Sequence, residues 1–381
     1  MRGIRDAAPL ALLALARLAA GGPVDETHPR APDQPLPIEF TPWYCQRCIE
    51  RELLEAQPRD ISITGVPAPE LAKSLKIRRS WYAIESPNFR IFSTLAGARI
   101  KHNDSRFAAA DLIRLKKIFP SFQVGGQGSF VTAHQRAHLY QIRAERILSH
   151  SRALTGNKHR FLGMGDRFVL CLFEKEKEFQ AFVEEELARP YSRGTPVERK
   201  HFTGGDNFYL ISTAASLYKG GESELSNTIL HHTAHSVVYG HNDYVSAMWG
   251  WLDGGFAHYY ERRESEEHNF FCLVSADPPK EFLRGNWRRK IRHMVYRNKD
   301  PSLGGWCEKT YAQQLSGTEH ALAWSIVDWL VQTNPVRLGK LMDIAARNEG
   351  RPSCSQAIQE VFGVDAYQLH DRWRAYVLKE Y

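Results

Sequence analysis

After its first 22 residues the chain has no apolar run long enough to be a candidate membrane span, and the run inside them is too short to be a good one. It carries no internal repeat and no low-complexity tract beyond one proline-rich segment, and its composition is ordinary for a globular protein, so neither disorder nor a fibre is indicated. Cysteine is scarce, with six in 381 residues. Only one C-x-x-C occurs, Cys45-Gln46-Arg47-Cys48: no second pair completes a zinc ribbon, and no histidine follows Cys48, which excludes c-type haem attachment. Charge of either sign is not in great excess, and the net +7 permits attraction to acidic surfaces without requiring it. The length suits one large domain or two smaller ones with ample core.

What is present begins with a leader-like stretch. Arg2 and Arg5 precede an Ala/Leu run, and small residues end it by residue 22, the pattern of a secretory signal. Export to a periplasmic or extracellular space is therefore expected. Residues 23–79 read as a linker, proline-rich at first and carrying the C-x-x-C. That pair is compatible with redox work, half of a zinc site or a local disulfide; a disulfide or a plain thiol pair is the expectation. Cys171 falls in an apolar strand-like run and reads as a packed thiol. Cys272, Cys307 and Cys354 could pair in an oxidising compartment, with no partner choice dictated.

Residues 80–381 read as the folded domain, with strands and helices alternating in its first half. Strands are expected at 89–93, 168–173 and within 203–214, and helices over 133–154 and 175–187. The stretch 284–299 is an amphipathic helix with a cationic face, and residues 321–381 are helix-rich. The fold class is α+β.

The most informative stretch is Ile229 to Glu261. His231 and His235 stand four apart, which on a helix puts both imidazoles on one face, within reach of one metal ion. Alone, that spacing describes many ordinary helix histidines. A second motif follows, Trp251-Leu252-Asp253-Gly254-Gly255-Phe256-Ala257-His258-Tyr259-Tyr260-Glu261. Together the two segments resemble the H-E-x-x-H and W-L-x-E-G-x-A-x-Y-x-E motifs of gluzincin zinc metallopeptidases of the peptidase MA-like group. The resemblance extends by pattern over roughly residues 80–381. It implies a zincin-like fold, with a mixed sheet and an active-site helix pair backed by a helical C-terminal part.

The resemblance also locates two losses. His232 stands where the family has its general-base glutamate, and Gly254 stands where the family has the glutamate that is the third zinc ligand. Since catalytic zinc normally has three protein ligands, the expectation is weak or absent zinc on His231 and His235. His258, one turn beyond Gly254, is the candidate substitute ligand, whereas Asp253 points away around the helix. Zincins line their cleft with a strand just before the metal helix, and Phe208, Tyr209, Leu210, Ile211 and Ser212 are the candidate edge for an extended substrate.

The expected function is an exported pseudopeptidase whose cleft binds a polypeptide or protein partner. The alternatives are an active zinc hydrolase with an altered site, using His258, and a non-enzymatic protein that binds anionic surfaces through 284–299. No specific nucleic-acid binding is expected, because the aromatics of that helix face inward by spacing.

Overall fold

The computed structural model describes residues 44–51, 53–54, 61–156, 168–192, 196–202, 208–241, 248–272, 280–347 and 350–381. The leader-like stretch 1–22 and the proline-rich part of the expected linker, 23–42, lie outside the described residues. No helix among the described residues is long and apolar enough to cross a membrane.

The sheet grows outward from two strands, β2 (Tyr82–Glu85) and β3 (Phe89–Ser93), joined at the Ser86-Pro87-Asn88 turn, where the Ser86 N–H donates to the Phe89 carbonyl. A two-residue strand, β1 (Tyr44–Cys45), pairs antiparallel with β2. The C-x-x-C thus belongs to the packed body, and so does a short helix at Ala68–Ser74, whose Ala68 and Leu71 are buried. A small separate ladder joins β4 (Ala98–Lys101) to β5 (Gly128–Val131). Strand β6 (Phe168–Phe173) runs parallel to β3, and all six of its residues are buried, as an apolar run covered on both faces should be.

Beyond β6 the order continues to β8 (Phe208–Ala214), parallel to β6, and ends at β7 (Val197–Phe202), antiparallel to β8. The placement of Phe208–Ser212 at the sheet edge is corrected here. Strand β8 lies inside the sheet: Leu210, Ile211 and Ser212 pair with both β6 and β7, Phe208 and Tyr209 pair with β7 alone, and the edge belongs to β7. The reason is a local hairpin: β7 precedes β8 in the chain and folds back onto its outer side, a pairing that a single-strand pattern does not reveal.

Helices cover the sheet and form the C-terminal half, so the architecture is mixed α+β. Helix α1 (Gln46–Ile49) follows β1, α2 is Ala68–Ser74, and α3 is Ala108–Ile118. The long α4 (Ala133–Thr155) starts at a capping box, Thr132 with Gln135, and stops at Gly156, whose φ of +66° suits glycine. Helix α5 (Glu176–Ala181) leads toward the hairpin. Then come α6 (Gly221–His241) and α7 (Gly250–Glu264), packed on each other. After them come α8 (Trp287–Tyr296), α9 (Gly317–Thr333), α10 (Pro335–Ala345), α11 (Cys354–Phe362) and α12 (Ala366–Glu380). The starts of α9, α11 and α12 carry the same box chemistry: Ser316 with Glu319, Ser353 with Gln356, and Asp365 with Gln368. Helix α8 buries Trp287, Ile291 and Val295, and part of its cationic face is already engaged, since Arg288 pairs with Asp328 at 3.0 Å.

Two features fix α7. A β-carbon on Gly255 would lie 2.6 Å from Val327 and 2.7 Å from the Ala323 carbonyl, so only glycine lets α7 and α9 approach this closely. A buried ionic network also ties the helices together. Arg146 on α4 reaches Glu264 on α7 at 2.5 Å and Asp111 on α3 at 3.2 Å, and Arg136 on α4 reaches Glu222 on α6 at 2.6 Å. Removing one member of such a network strands a buried charge, at a cost of roughly 3–5 kcal/mol. All six cysteines are free and buried, so the local disulfide allowed by Cys45 and Cys48 is not formed.

His150 on α4 is half-buried against α7, with Nδ1 2.9 Å from the Tyr260 hydroxyl and Nε2 3.1 Å from Nη1 of Arg263. Arg263 can only donate, so Nε2 accepts and the ring is neutral. Burial, and then the nearby Arg263 and Arg146, hold its pKa down to about 3. Between its unfolded value near 6.5 and about 3 the unfolded chain binds the extra proton, so stability falls as pH drops through this window. His150→Gln is expected to lose less stability than the parent between pH 6.5 and 3, read as a shallower change in urea midpoint with pH. Identical profiles would contradict this assignment.

Candidate metal centre

Helix α6 begins at Gly221, with Glu222 and Glu224 in its first turn, where acidic side chains complement the exposed N–H groups. Its 21 residues carry His231 and His235 on the side that faces α7, and both rings are fully buried. The two Nε2 atoms are 3.1 Å apart. The Cys272 thiol comes in from the segment after α7, with Sγ 3.5 Å from the first Nε2 and 3.4 Å from the second. These three side chains form one of the buried His/Cys groupings able to hold a metal ion.

The spacing fits three corners of a tetrahedral ion. Bonds of about 2.0 Å to nitrogen and 2.3 Å to sulfur separate two nitrogens by roughly 3.3 Å, and a nitrogen from a sulfur by roughly 3.5 Å. Behind each imidazole stands a carboxylate. Asp253 Oδ1 is 2.5 Å from Nδ1 of His235, and Glu261 Oε2 is 3.3 Å from Nδ1 of His231. A carboxylate on Nδ1 keeps the proton there and leaves the Nε2 lone pair for an ion, an orientation that histidine ligands commonly need.

The electrostatics are those of a dry site. Burial, and then the neighbouring His235, His258 and His232, hold His231 neutral, well below its ordinary value. Burial acts against charge on His235 too, but Asp253 and Cys272 outweigh it and raise that ring to about 9. Burial would push the Cys272 thiol up; His235 and Arg199 more than offset this and lower it. Glu261 is raised well above the usual carboxylate range by burial, although the Phe270 N–H donates to it at 2.5 Å.

His258 reaches the centre only indirectly. Its Nδ1 lies 2.8 Å from Glu261 and its Nε2 3.3 Å from Nδ1 of His320 on α9. His231, His258 and Glu261 form a grouping of their own around the opposite, Nδ1 side of His231. A β-carbon on Gly254 would start 3.2 Å from Nδ1 of His320, so the His320 ring packs closely over this glycine. His232 is buried against Phe270, with ring centroids 4.6 Å apart, and neither of its ring nitrogens has a hydrogen-bond partner among the described residues. Burial, and then Arg199, keep it neutral. Phe208 to Ser212, inside the sheet, lie behind β7.

The spacing of His231 and His235 was readable in the sequence. Cys272 and the orienting roles of Asp253 and Glu261 were not. Asp253 was set aside by its angle around the helix, yet α7 turns that face toward His235. Cys272 carries no motif, and only the return of the chain after α7 brings it to the rings. No family model, curated protein or solved structure matches the chain.

Cys272→Ser is expected to lose metal affinity more than any other single change at this centre outside His231 and His235. Asp253→Asn should weaken it by about 10–100-fold, and His258→Ala should change it far less. Competition against a chromophoric chelator reads all three; equal effects of Cys272→Ser and His258→Ala would contradict the assignment of Cys272.

Proposed function

We propose that this chain is a zincin-type, metallopeptidase-like protein that holds an extended polypeptide beside a metal kept by His231, His235 and Cys272, and cleaves it slowly or not at all. One observation carries the reading: two imidazoles and a thiol converge between facing helices, each imidazole backed by a carboxylate. A zinc-class ion there would supply Lewis acidity toward an amide carbonyl. Cys272 answers one of the two losses read in the sequence, since it supplies a third ligand with negative charge.

The other loss stands. A good base must accept a proton near neutral pH, and His232 is buried and held neutral beside the positive Arg199. That environment makes it a poor acceptor, which supports the view of a binder in preference to an efficient enzyme. Arg199 itself belongs to β7, the edge strand, so the strand that would pair with an extended peptide also borders the centre. An open pocket of about 290 Å³, lined by Pro196 just before β7 and by Tyr218, Thr228, Glu261, Asn269 and Phe270, adjoins the same region. Export remains part of this proposal through the leader-like residues 1–22.

His232→Glu is expected to leave metal content unchanged and to raise hydrolysis of an unstructured peptide by roughly 10²-fold over the parent, the lower range of general-base effects. Peptide affinity, read by fluorescence anisotropy, should be present in both. A parent protein that neither binds nor cuts peptides, with a variant that does neither, would overturn the proposal. Rapid cleavage by the parent would replace the binder with an altered-site enzyme.

A further inference from the structure

A second buried constellation lies away from the His231 centre, in the segment the sequence left without a role. Cys45 ends β1, Cys48 sits in α1, and His134 and His138 stand one turn apart at the start of α4. Cys45 Sγ is 3.1 Å from Nε2 of His134, and Cys48 Sγ is 3.4 Å from that atom and 3.3 Å from Nε2 of His138. All four donor atoms lie within 4.8 Å of one another. A tetrahedral ion bound to sulfur and nitrogen would place unlike ligands roughly 3.5 Å apart, so the observed edges are close to those of a bound state. The pattern is C-x-x-C followed by H-x-x-x-H, the donor spacing of small zinc sites, here drawn together across 89 residues.

We propose that Cys45, Cys48, His134 and His138 form a closed structural site for one zinc-class divalent ion that fastens the N-terminal segment to α4. Three observations argue for a closed site rather than an open one. All four side chains are buried. The shell is apolar and aromatic: the Tyr82 ring stacks on His134 at 5.0 Å, and Phe119 meets both imidazoles edge-on. The donor set is complete at four, with no protein position left vacant for a reacting group. Nδ1 of His138 faces Oε1 of the buried Gln141 at 3.2 Å, which keeps the proton on Nδ1 and the Nε2 lone pair toward the sulfurs.

The segment needs such an anchor. Strand β1 has two residues and α1 has four, too few to hold their own shape by backbone hydrogen bonds. Ion binding supplies folding free energy directly where a core is too thin to do so. The site would also keep both thiols as ligands, so that they neither pair with each other nor act as a redox couple.

Elemental analysis of the full chain after dialysis against a mild chelator tests the proposal. The parent should hold two equivalents of metal, and Cys45→Ser/Cys48→Ser one; His231→Ala/His235→Ala should also hold one, which separates this site from the other centre. If the parent holds only one equivalent and loses it in the cysteine variant alone, this site stands and the His231 centre falls. Unchanged metal in Cys45→Ser/Cys48→Ser overturns the proposal, as does a Cys45–Cys48 disulfide found by mass after alkylation without reductant. Should the double variant fail to fold, His138→Cys gives an independent reading. In the cobalt-substituted protein its third thiolate should intensify the sulfur-to-cobalt charge-transfer band, and an unchanged band counts against the site.

Discussion

A histidine ring buried away from water is costly unless its nitrogens find partners, and the way His231 and His235 find theirs organises the middle of this molecule. His231 and His235 are fully buried, 3.1 Å apart at Nε2, and each has a carboxylate at Nδ1. Without Asp253 and Glu261 the rings would be free to turn, and their lone pairs would lose a common target. Each of these buried carboxyl groups meets an imidazole in turn, and Glu261 also accepts the Phe270 N–H. The helix pair α6–α7 is therefore held by its polar contents as well as by its apolar packing. The Arg136–Glu222 and Arg146–Glu264 pairs anchor the start of α6 and the end of α7 to α4.

The same packing shapes the surroundings of Gly254. From α9, His320 packs over Gly254 and contacts His258. A larger side chain at Gly254 would have to shift that ring. Cys272 approaches from the other direction and needs no displacement. As a thiolate it would bring one negative charge to an ion held there. The same dryness works against His232, whose charged form has no partner among the described residues and faces Arg199. On the proposed reading, ion holding and poor proton transfer at this site have one cause.

The sequence disclosed what short-range periodicity encodes. The strands at Phe89–Ser93 and Phe168–Phe173 and the helix from Ala133 could be read from alternation, apolar runs and a helical stripe. The pairing of the two motif helices was implied by the resemblance of their motifs and not by periodicity. Contacts set by the tertiary fold stayed hidden. His134 and His138 have the same spacing as His231 and His235, but no second motif stood beside them, and their partners lie 86 to 90 residues away. Asp253 shows the limit of the helical wheel: the wheel gives angles around one helix and says nothing of where the neighbouring helix lies. The edge strand was misplaced by one position because β7 folds back outside β8, and pairing order is not a property of either strand alone.

The central claim is that the buried imidazoles of α6 and the Cys272 thiol are ligands of one ion. Anomalous diffraction at the zinc edge, from crystals of the protein purified without added chelator, tests it most directly. The account predicts a peak between Nε2 of His231, Nε2 of His235 and Sγ of Cys272, with the carboxylates of Asp253 and Glu261 on the Nδ1 side of the rings. A well-ordered site with no peak there, and with His231 and His235 joined by a simple N–H to N hydrogen bond, would contradict it.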